Sequence, residues 1–160
     1  MAGALSVTVG PVLPADEERV KQLLQQCGLQ DTGVLEPNGQ VVVARVAGKI
    51  VGMARLEVYR EGGWLRSVAV DPAWQRQGIG RQLVGAILAW ARRNGLRQIF
   101  LLTETATGFF ERLGFVPVTR AEVPPAVRAA PQFAWPACAS CQVMRWTNPA
   151  ASAPARSQPT

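Results

Sequence analysis

The stretch Val68–Leu83, which reads VAVDPAWQRQGIGRQL, decides the fold. Its first residues end an apolar run that is typical of a β-strand. The pair Asp71-Pro72 ends this strand, because proline has no N–H group for the sheet and restricts the residue before it. Apolar residues then recur at helical spacing over Gly78–Arg93, and Gly95 is expected to end this helix. The stretch therefore predicts a strand, a loop and a helix.

The predicted loop has the composition of an anion site. Gly78 and Gly80 allow a tight turn and close approach of the backbone to a ligand. The first amides of a helix have no intrahelical partner, and with the helix dipole they suit a diphosphate. Four nearby side chains add donors, namely Gln75, Arg76, Gln77 and Arg81. A loop without a ligand is the alternative, because Gly-x-Gly alone is a weak signal.

The longer pattern is more specific. Gln75-x-x-Gly78-x-Gly80, after Val-Ala-Val-Asp-Pro and before an amphipathic helix, resembles the acetyl-CoA signature of the GCN5-related N-acetyltransferases (GNAT). The segment Phe109–Phe115 resembles the helix-to-strand element near the CoA tail in that superfamily. The resemblance covers roughly Leu5–Trp146. A dinucleotide-binding fold would need a third glycine where Leu83 stands.

The resemblance implies an α+β fold and acetyl-CoA as co-substrate. The expected sheet is mixed and mostly antiparallel, with six or seven strands, about four flanking helices, and a splay between the fourth strand (Trp64–Val70) and the fifth (Gln98–Leu102). The backbone of the fourth strand would pair with the pantetheine arm, and an amide near Val68 would polarise the thioester carbonyl. The implied cofactor-binding residues are Val68, Ala69, Val70, Gln75, Arg76, Gln77, Gly78, Ile79, Gly80, Arg81, Thr105 and Phe110.

Composition limits the other function classes. The net charge of +6 and the pI near 10.2 suit a polyanionic ligand such as CoA. We expect no nucleic-acid partner, because the basic residues are spread along the chain. The chain has no histidine, so a histidine base is excluded, and no metal cofactor is expected. No apolar run reaches about 18 residues, so no membrane partner and a cytoplasmic location are expected.

The chain reads as one domain over residues 1–146, followed by a disordered Ala/Pro/Ser-rich tail over 147–160. Gly62-Gly63 is predicted as a hairpin turn that places Tyr59 opposite Arg66. A helix is predicted up to Cys27, with that cysteine on its apolar side. Further elements are predicted as strands at Leu5–Val9, Val41–Val46, Lys49–Tyr59, Phe115–Thr119 and Cys141–Trp146, and helices at Thr105–Leu113 and Pro124–Ala130.

Two carboxylates are candidates for the general base. Glu57 is the first candidate, because it lies on the polar face beside the cofactor strand. The alternative is a solvated strand residue paired with Arg55 or Arg66. Glu104, at the end of the next strand, is the second candidate base.

Two positions of the resembled pattern differ in this chain. Phe110 stands where many family members carry a tyrosine proposed to protonate the leaving thiolate. Water is then the expected proton source. Thr105 replaces a frequent asparagine and can still hydrogen-bond or cap the helix.

Segments including Leu65–Val70, Leu101–Thr105 and Phe109–Phe115 are similar to the arsenic-resistance N-acetyltransferase subgroup, which resembles amino-acid N-acetyltransferases. This similarity implies a small amino-acid-like amine as acceptor, including arsenical or phosphinothricin-like amino acids. Arg66 and Tyr59 are the candidate substrate-binding residues, since the arginine fork suits a carboxylate or related acid group. A surface arginine at the hairpin is the alternative for Arg66.

Two other function classes stay open from the sequence. One is a non-catalytic acyl-CoA-binding regulatory module, which the missing tyrosine allows. The other is a thiol-based arsenical binder that uses Cys138-x-x-Cys141, for which core packing is the alternative. Four-ligand zinc would need two more ligands. A small-molecule amine is the expected partner, and a homodimer is among the expected assemblies.

Overall fold

The structure is a computed structural model that describes residues 6–31, 33–130 and 140–150. Within these residues it has seven β-strands, four α-helices and three short 3-10 helices. The strands are β1 (Val7–Pro11), β2 (Gly39–Val46), β3 (Lys49–Tyr59), β4 (Gly62–Val70), β5 (Gln98–Thr103), β6 (Val116–Val118) and β7 (Gln142–Thr147). The α-helices are α1 (Glu17–Gln26), α2 (Ile79–Arg93), α3 (Thr107–Glu111) and α4 (Pro125–Arg128). The 3-10 helices are Pro14–Asp16, Pro72–Trp74 and Arg120–Glu122.

The strands form one mixed sheet in the order β1-β2-β3-β4-β5-β7-β6. The pairs β1–β2, β5–β7 and β6–β7 are antiparallel. The parallel pair β4–β5 is short, with the register Gly63↔Ile99 and Trp64↔Phe100. This short pairing is the splay expected between the fourth and fifth strands, and the predicted α+β fold class is confirmed.

The chain divides into two compact units, and the first comprises Met1–Leu56 with Arg66–Leu88. Its core joins the apolar face of α1, including Val20, Leu23 and Leu24, to buried strand residues. Gly52 of β3 allows close approach of α2, because a Cβ atom there would lie 2.9 Å from Leu83 Cδ1. Cys27 is partly buried and packs against the core of this unit, as predicted.

The second unit comprises Glu57–Leu65 with Ala89–Thr160. Its core is built on Trp64 and Phe100, with Val123, Val127, Ala130 and Val143 packed around them. Asn148 is fully buried and donates to the Leu96 carbonyl at 2.8 Å, just beyond the end of α2. The predicted stop at Gly95 is confirmed by its φ of 71° and by the bond from Leu96 N to Ala91 O at 3.0 Å.

Several predicted boundaries differ from the structure. The hairpin turn is Arg60-Glu61, because β3 ends at Tyr59 and β4 begins at Gly62, so the predicted Gly62-Gly63 turn and its register are wrong. Gly62 serves a close approach instead: a Cβ atom there would lie 3.2 Å from Gln98 O. Helix α3 begins at Thr107 rather than Thr105.

β7 continues to Thr147, one residue past the predicted domain end at 146, and Asn148 is buried behind it. Residues 151–160, where most of the predicted tail falls, lie outside the described residues. No helix within the described part of the chain is long and apolar enough to cross a membrane.

Candidate active site

The last residues of β4 alternate in burial. Ala69 is buried against the core of the first unit, whereas Val68 and Val70 are half-buried. The Val70 carbonyl accepts a hydrogen bond from Gln75 Nε2 at 2.9 Å and from Cys27 Sγ at 3.4 Å. The strand end is therefore anchored both to the loop that follows it and to the end of α1.

Asp71 begins the loop, and its amide and both of its carboxylate oxygens are hydrogen-bonded. Its amide donates to Val51 O at 2.8 Å, and its Oδ1 accepts from Ala73 N at 3.0 Å, which caps the 3-10 helix Pro72–Trp74. Its Oδ2 accepts from Arg19 Nη2 at 2.9 Å. A cap of this kind is typical of an Asp-Pro pair. The contact with Arg19 could not be predicted from the sequence, because the two residues are 52 positions apart.

The loop then turns through two left-handed residues. Gly78 has a φ of 81°, as the sequence predicts for a tight turn, and Arg76 has a φ of 68°, which sequence reasoning missed. A non-glycine residue in this conformation costs about 1–2 kcal/mol and is often found at binding sites. A Cβ atom on Gly78 would meet nothing within 4 Å, so its backbone conformation, and not crowding, requires glycine there.

Helix α2 starts immediately after this turn. Its first intrahelical hydrogen bond runs from Gln82 N to Gly78 O at 3.1 Å, so the amides of Ile79, Gly80 and Arg81 precede it. These amides lie at the positive end of the helix dipole, an arrangement that suits an anion, beside the exposed side chains of Gln75, Arg76, Gln77 and Arg81. Ile79 is only 1% exposed, so its side chain packs in the core and is not available to contact a ligand.

In the second unit, the structure brings Glu57 and Tyr59 together. Glu57 is 5% exposed, and Tyr59 Oη donates to its Oε1 at 2.6 Å. The ring of Tyr59 packs against the core cluster that contains Trp64. Glu57 is therefore not the solvated strand residue of the alternative interpretation. Arg66, in the first unit, is half-buried.

The connection from β5 to α3 carries the other predicted residues. Glu104 and Thr105 are exposed. The Thr103 hydroxyl accepts the Ala106 amide at 3.0 Å, and α3 begins behind Ala106 without a side-chain cap, so Thr105 does not cap this helix. Phe110 is 8% exposed, and its ring makes edge contacts with Phe109 and Phe115, whose centroids lie 4.9 and 5.5 Å away.

The cysteines differ in state. Cys141 is disulfide-bonded, so its interpretation as a core-packing thiol is wrong, and Cys138 lies outside the described residues. Burial raises the pKa of the Cys27 thiol above its ordinary value, so Cys27 stays protonated at neutral pH.

A family model described as "Acetyltransferase (GNAT) domain" matches residues 37–117, just over half of the 160-residue chain. The chain therefore belongs to the GNAT acetyltransferase domain family. The matched residues include β4, the loop after it and α2.

Curated relatives include amino-acid acetyltransferases. The chain is 43% identical over 72 residues to the amino-acid acetyltransferase of Mycobacterium tuberculosis, covering 44% of this chain and 41% of that protein. It is 28% identical over 109 residues to an uncharacterized N-acetyltransferase of Chlorobaculum tepidum, covering 68% and 65% of the two chains. The chain thus spans less than two thirds of the length of these relatives.

Solved structures share the fold. N-acetylglutamate synthase from Neisseria gonorrhoeae, complexed with coenzyme A and N-acetyl-glutamate, superposes with a TM-score of 0.76 at 20% identity, covering 92% of this chain and 36% of that one. The Mycobacterium tuberculosis protein Rv2747, in complex with CoA, gives a TM-score of 0.75 at 27% identity, covering 88% and 98% of the two chains.

Proposed function

We propose that this protein transfers the acetyl group of acetyl-CoA to the amine of a small amino-acid-like acceptor. The observation that carries the proposal is the loop after β4, where Arg76 and Gly78 turn the chain so that three unpartnered helical amides follow. The acceptor class is supported by the 43% identity to an amino-acid acetyltransferase over 72 residues.

The residues after β4 would bind the co-substrate. The amides of Ile79, Gly80 and Arg81 suit its diphosphate, and the half-buried edge residues Val68 and Val70 would pair with its pantetheine arm. The amide near Val68 would donate to the thioester carbonyl as negative charge develops on its oxygen. Thr105 and Phe110 are proposed to contact the CoA tail from the second connection.

Glu57 is proposed as the general base. The acceptor nitrogen attacks the thioester carbon, the new C–N bond forms and the C–S bond breaks, while Glu57 takes the proton from nitrogen. Tyr59 would orient the carboxylate through the 2.6 Å bond to Oε1. Water would protonate the leaving thiolate, since Phe110 has no proton to donate. Glu104 is the second candidate base.

Arg66 is proposed to bind the acid group of the acceptor, with Tyr59 as a further substrate contact. A planar guanidinium matches a two-oxygen anion and stays charged at any working pH. An arsenical or phosphinothricin-like amino acid is the narrower acceptor class, because its arsinate or phosphinate would fit the same fork.

The test is a panel of acceptors incubated with acetyl-CoA and read by mass spectrometry. The panel pairs each amino acid with its decarboxylated amine and includes one phosphinothricin-like and one arsenical amino acid. We expect amino acids to be acetylated in preference to their amines. Best turnover with simple amines would contradict the acceptor class, and acetyl-CoA binding without turnover of any acceptor would favour the non-catalytic module.

The Arg66→Ala variant tests the acid-group contact within the same panel. Loss of a charged hydrogen bond of roughly 1.5–3 kcal/mol should raise the acceptor KM about 10- to 100-fold, with a much smaller effect on acetyl-CoA. Arg60→Ala, at the exposed turn of the same hairpin, is the matched control and should leave both KM values unchanged. An unchanged acceptor KM in Arg66→Ala would remove Arg66 from this role.

We further propose a cytoplasmic location, no nucleic-acid partner and a homodimer as the assembly. The spread of basic residues along the chain supports the second point. Sedimentation of the purified chain at several concentrations tests the assembly, and a monomer at all concentrations would contradict it.

A further inference from the structure

Arg19 lies on α1, a helix to which the proposed function assigns no role. Its side chain leaves the helix and makes two short polar contacts. Nε donates to Ile50 O at 3.1 Å, and Nη2 donates to Asp71 Oδ2 at 2.9 Å. The guanidinium thereby connects α1 to β3 and to the first residue of the loop after β4.

The two carboxylate oxygens of Asp71 accept hydrogen bonds from different parts of the chain. Oδ1 accepts the Ala73 amide and shapes the turn into the 3-10 helix, while Oδ2 binds Arg19. The Asp71 amide is bonded to Val51 O at 2.8 Å. Arg19 is therefore the contact that fixes the orientation of the carboxylate from outside the loop.

Close packing does not hold this part of the loop. Arg19, Asp71 and Trp74 line a cavity of about 420 Å³, with Asp16, Arg45 and Lys49 also on its wall. The side chains of Arg19 and Asp71 are 31% and 20% exposed, so water reaches the ion pair. Because the cavity leaves space beside the loop, the conformation of the loop depends on the hydrogen bonds of Asp71.

We propose that Arg19 is a positioning residue for acetyl-CoA, acting through Asp71 on the loop Asp71–Gly78. This inference rests on the proposed function of that loop. Binding of a diphosphate by backbone amides is strong only when the amides are already in place before the ligand arrives. Without Arg19, the Asp71 carboxylate can rotate into the cavity, and part of the binding energy must then order the loop.

The test compares Arg19→Ala, Arg19→Lys and Asp71→Asn with the wild type by calorimetry with acetyl-CoA and by steady-state kinetics. Arg19→Ala should raise the Kd and the KM of acetyl-CoA about 5- to 10-fold, with kcat and the acceptor KM unchanged. Asp71→Asn keeps the Oδ1 cap and should raise the Kd about threefold. Arg19→Lys should restore part of the loss, since it keeps the charge but not the fork.

Lys21→Ala is the matched control. Lys21 forms an exposed ion pair with Glu17 on the same helix, at 3.0 Å, and its removal should leave the Kd unchanged. The double variant Arg19→Ala/Asp71→Asn should bind acetyl-CoA no more weakly than Arg19→Ala, because both substitutions break the same contact between Arg19 and Asp71.

The outcomes separate this inference from the proposed function. Wild-type protein that does not bind acetyl-CoA would remove both. A Kd of Arg19→Ala within twofold of wild type would overturn the positioning role alone. A fall in kcat together with equal rises in both KM values would overturn it as well, because these changes indicate general disruption of the fold. If Arg19→Ala does not fold, Arg19→Lys and Asp71→Asn decide by the same criteria.

Discussion

Two connections of this molecule lead from a strand into a helix, and they are built differently. After β4, the Val70 carbonyl and the Asp71 amide and carboxylate are all hydrogen-bonded, and two left-handed residues precede the helix. After β5, the loop has a single side-chain bond, from Ala106 N to Thr103 Oγ1, and Glu104 and Thr105 are exposed.

The difference indicates different roles. The first connection holds its backbone by polar contacts and presents amides, which suits recognition of an anion. The second is anchored by the aromatic contacts of Phe110 with Phe109 and Phe115, and α3 is only five residues long. We therefore expect substitutions after β4 to change co-substrate affinity more than equivalent substitutions after β5.

The largest expected effect concerns the base, for which β3 and the second connection each offer a carboxylate. Glu57→Gln should lower kcat about 100-fold with little change in acetyl-CoA affinity, because general bases contribute about that much. Glutamine keeps the volume and can still accept from Tyr59. Glu104→Gln is the paired variant, and its kcat should fall by less than about threefold. The reverse order of losses across the pH range would assign the base to Glu104.

The second effect compares two glycines at the second position of a helix. Gly80→Val in α2 should weaken acetyl-CoA binding by about tenfold or more, because a side chain there blocks approach of the diphosphate. Gly108→Val in α3 should bind acetyl-CoA with wild-type affinity, since a Cβ atom there would meet only the Arg112 guanidinium, at 3.9 Å. Calorimetry on both variants, with melting curves to verify folding, measures this. Wild-type affinity in folded Gly80→Val would exclude the loop as the diphosphate site.

A smaller effect is expected at Phe110. If water protonates the thiolate, Phe110→Tyr should change kcat by less than about threefold. The added hydroxyl would be largely buried and should lower stability by about 1–3 kcal/mol if it finds no partner. Steady-state kinetics and urea unfolding measure the two quantities. A tenfold gain in kcat would show that proton delivery limits the wild type.

The smallest effect concerns the two donors to Val70 O. Cys27→Ala should change the Kd of acetyl-CoA by less than about twofold, because a thiol is a weak donor and Gln75 donates to the same carbonyl. Since burial raises the pKa of the Cys27 thiol, its alkylation by iodoacetamide should be slow at pH 7 and should keep rising with pH after the alkylation of an exposed thiol has levelled off. Rapid alkylation at neutral pH would contradict the buried placement.

Local rules account for what the sequence predicts well. The strand end at Asp71-Pro72, the turn at Gly78 and the stop of α2 at Gly95 each depend on one or two residues and their backbone preferences. The mixed, mostly antiparallel sheet and its splay were predicted from the family resemblance, which rests largely on the same stretch.

Tertiary contacts account for what the sequence does not predict. The Arg19–Asp71 pair joins positions 52 apart, and only the packing of α1 on the sheet brings them together. The Gly62-Gly63 turn was wrong because Gly62 is needed beside Gln98 and not at the hairpin tip. Thr105 does not cap α3, since the helix starts two residues later than predicted and the nearby hydrogen-bonded hydroxyl belongs to Thr103.

The helix start after β4 is the proposed binding site for the diphosphate of acetyl-CoA. The most direct test is a titration of ¹⁵N-labelled protein with 3′-phospho-ADP, the CoA fragment that carries the diphosphate without the pantetheine arm. We expect the largest amide shifts at Ile79, Gly80 and Arg81, and small shifts at Thr107 and Gly108 of α3. Large shifts at Thr107 and Gly108 with none at Ile79–Arg81 would contradict the claim.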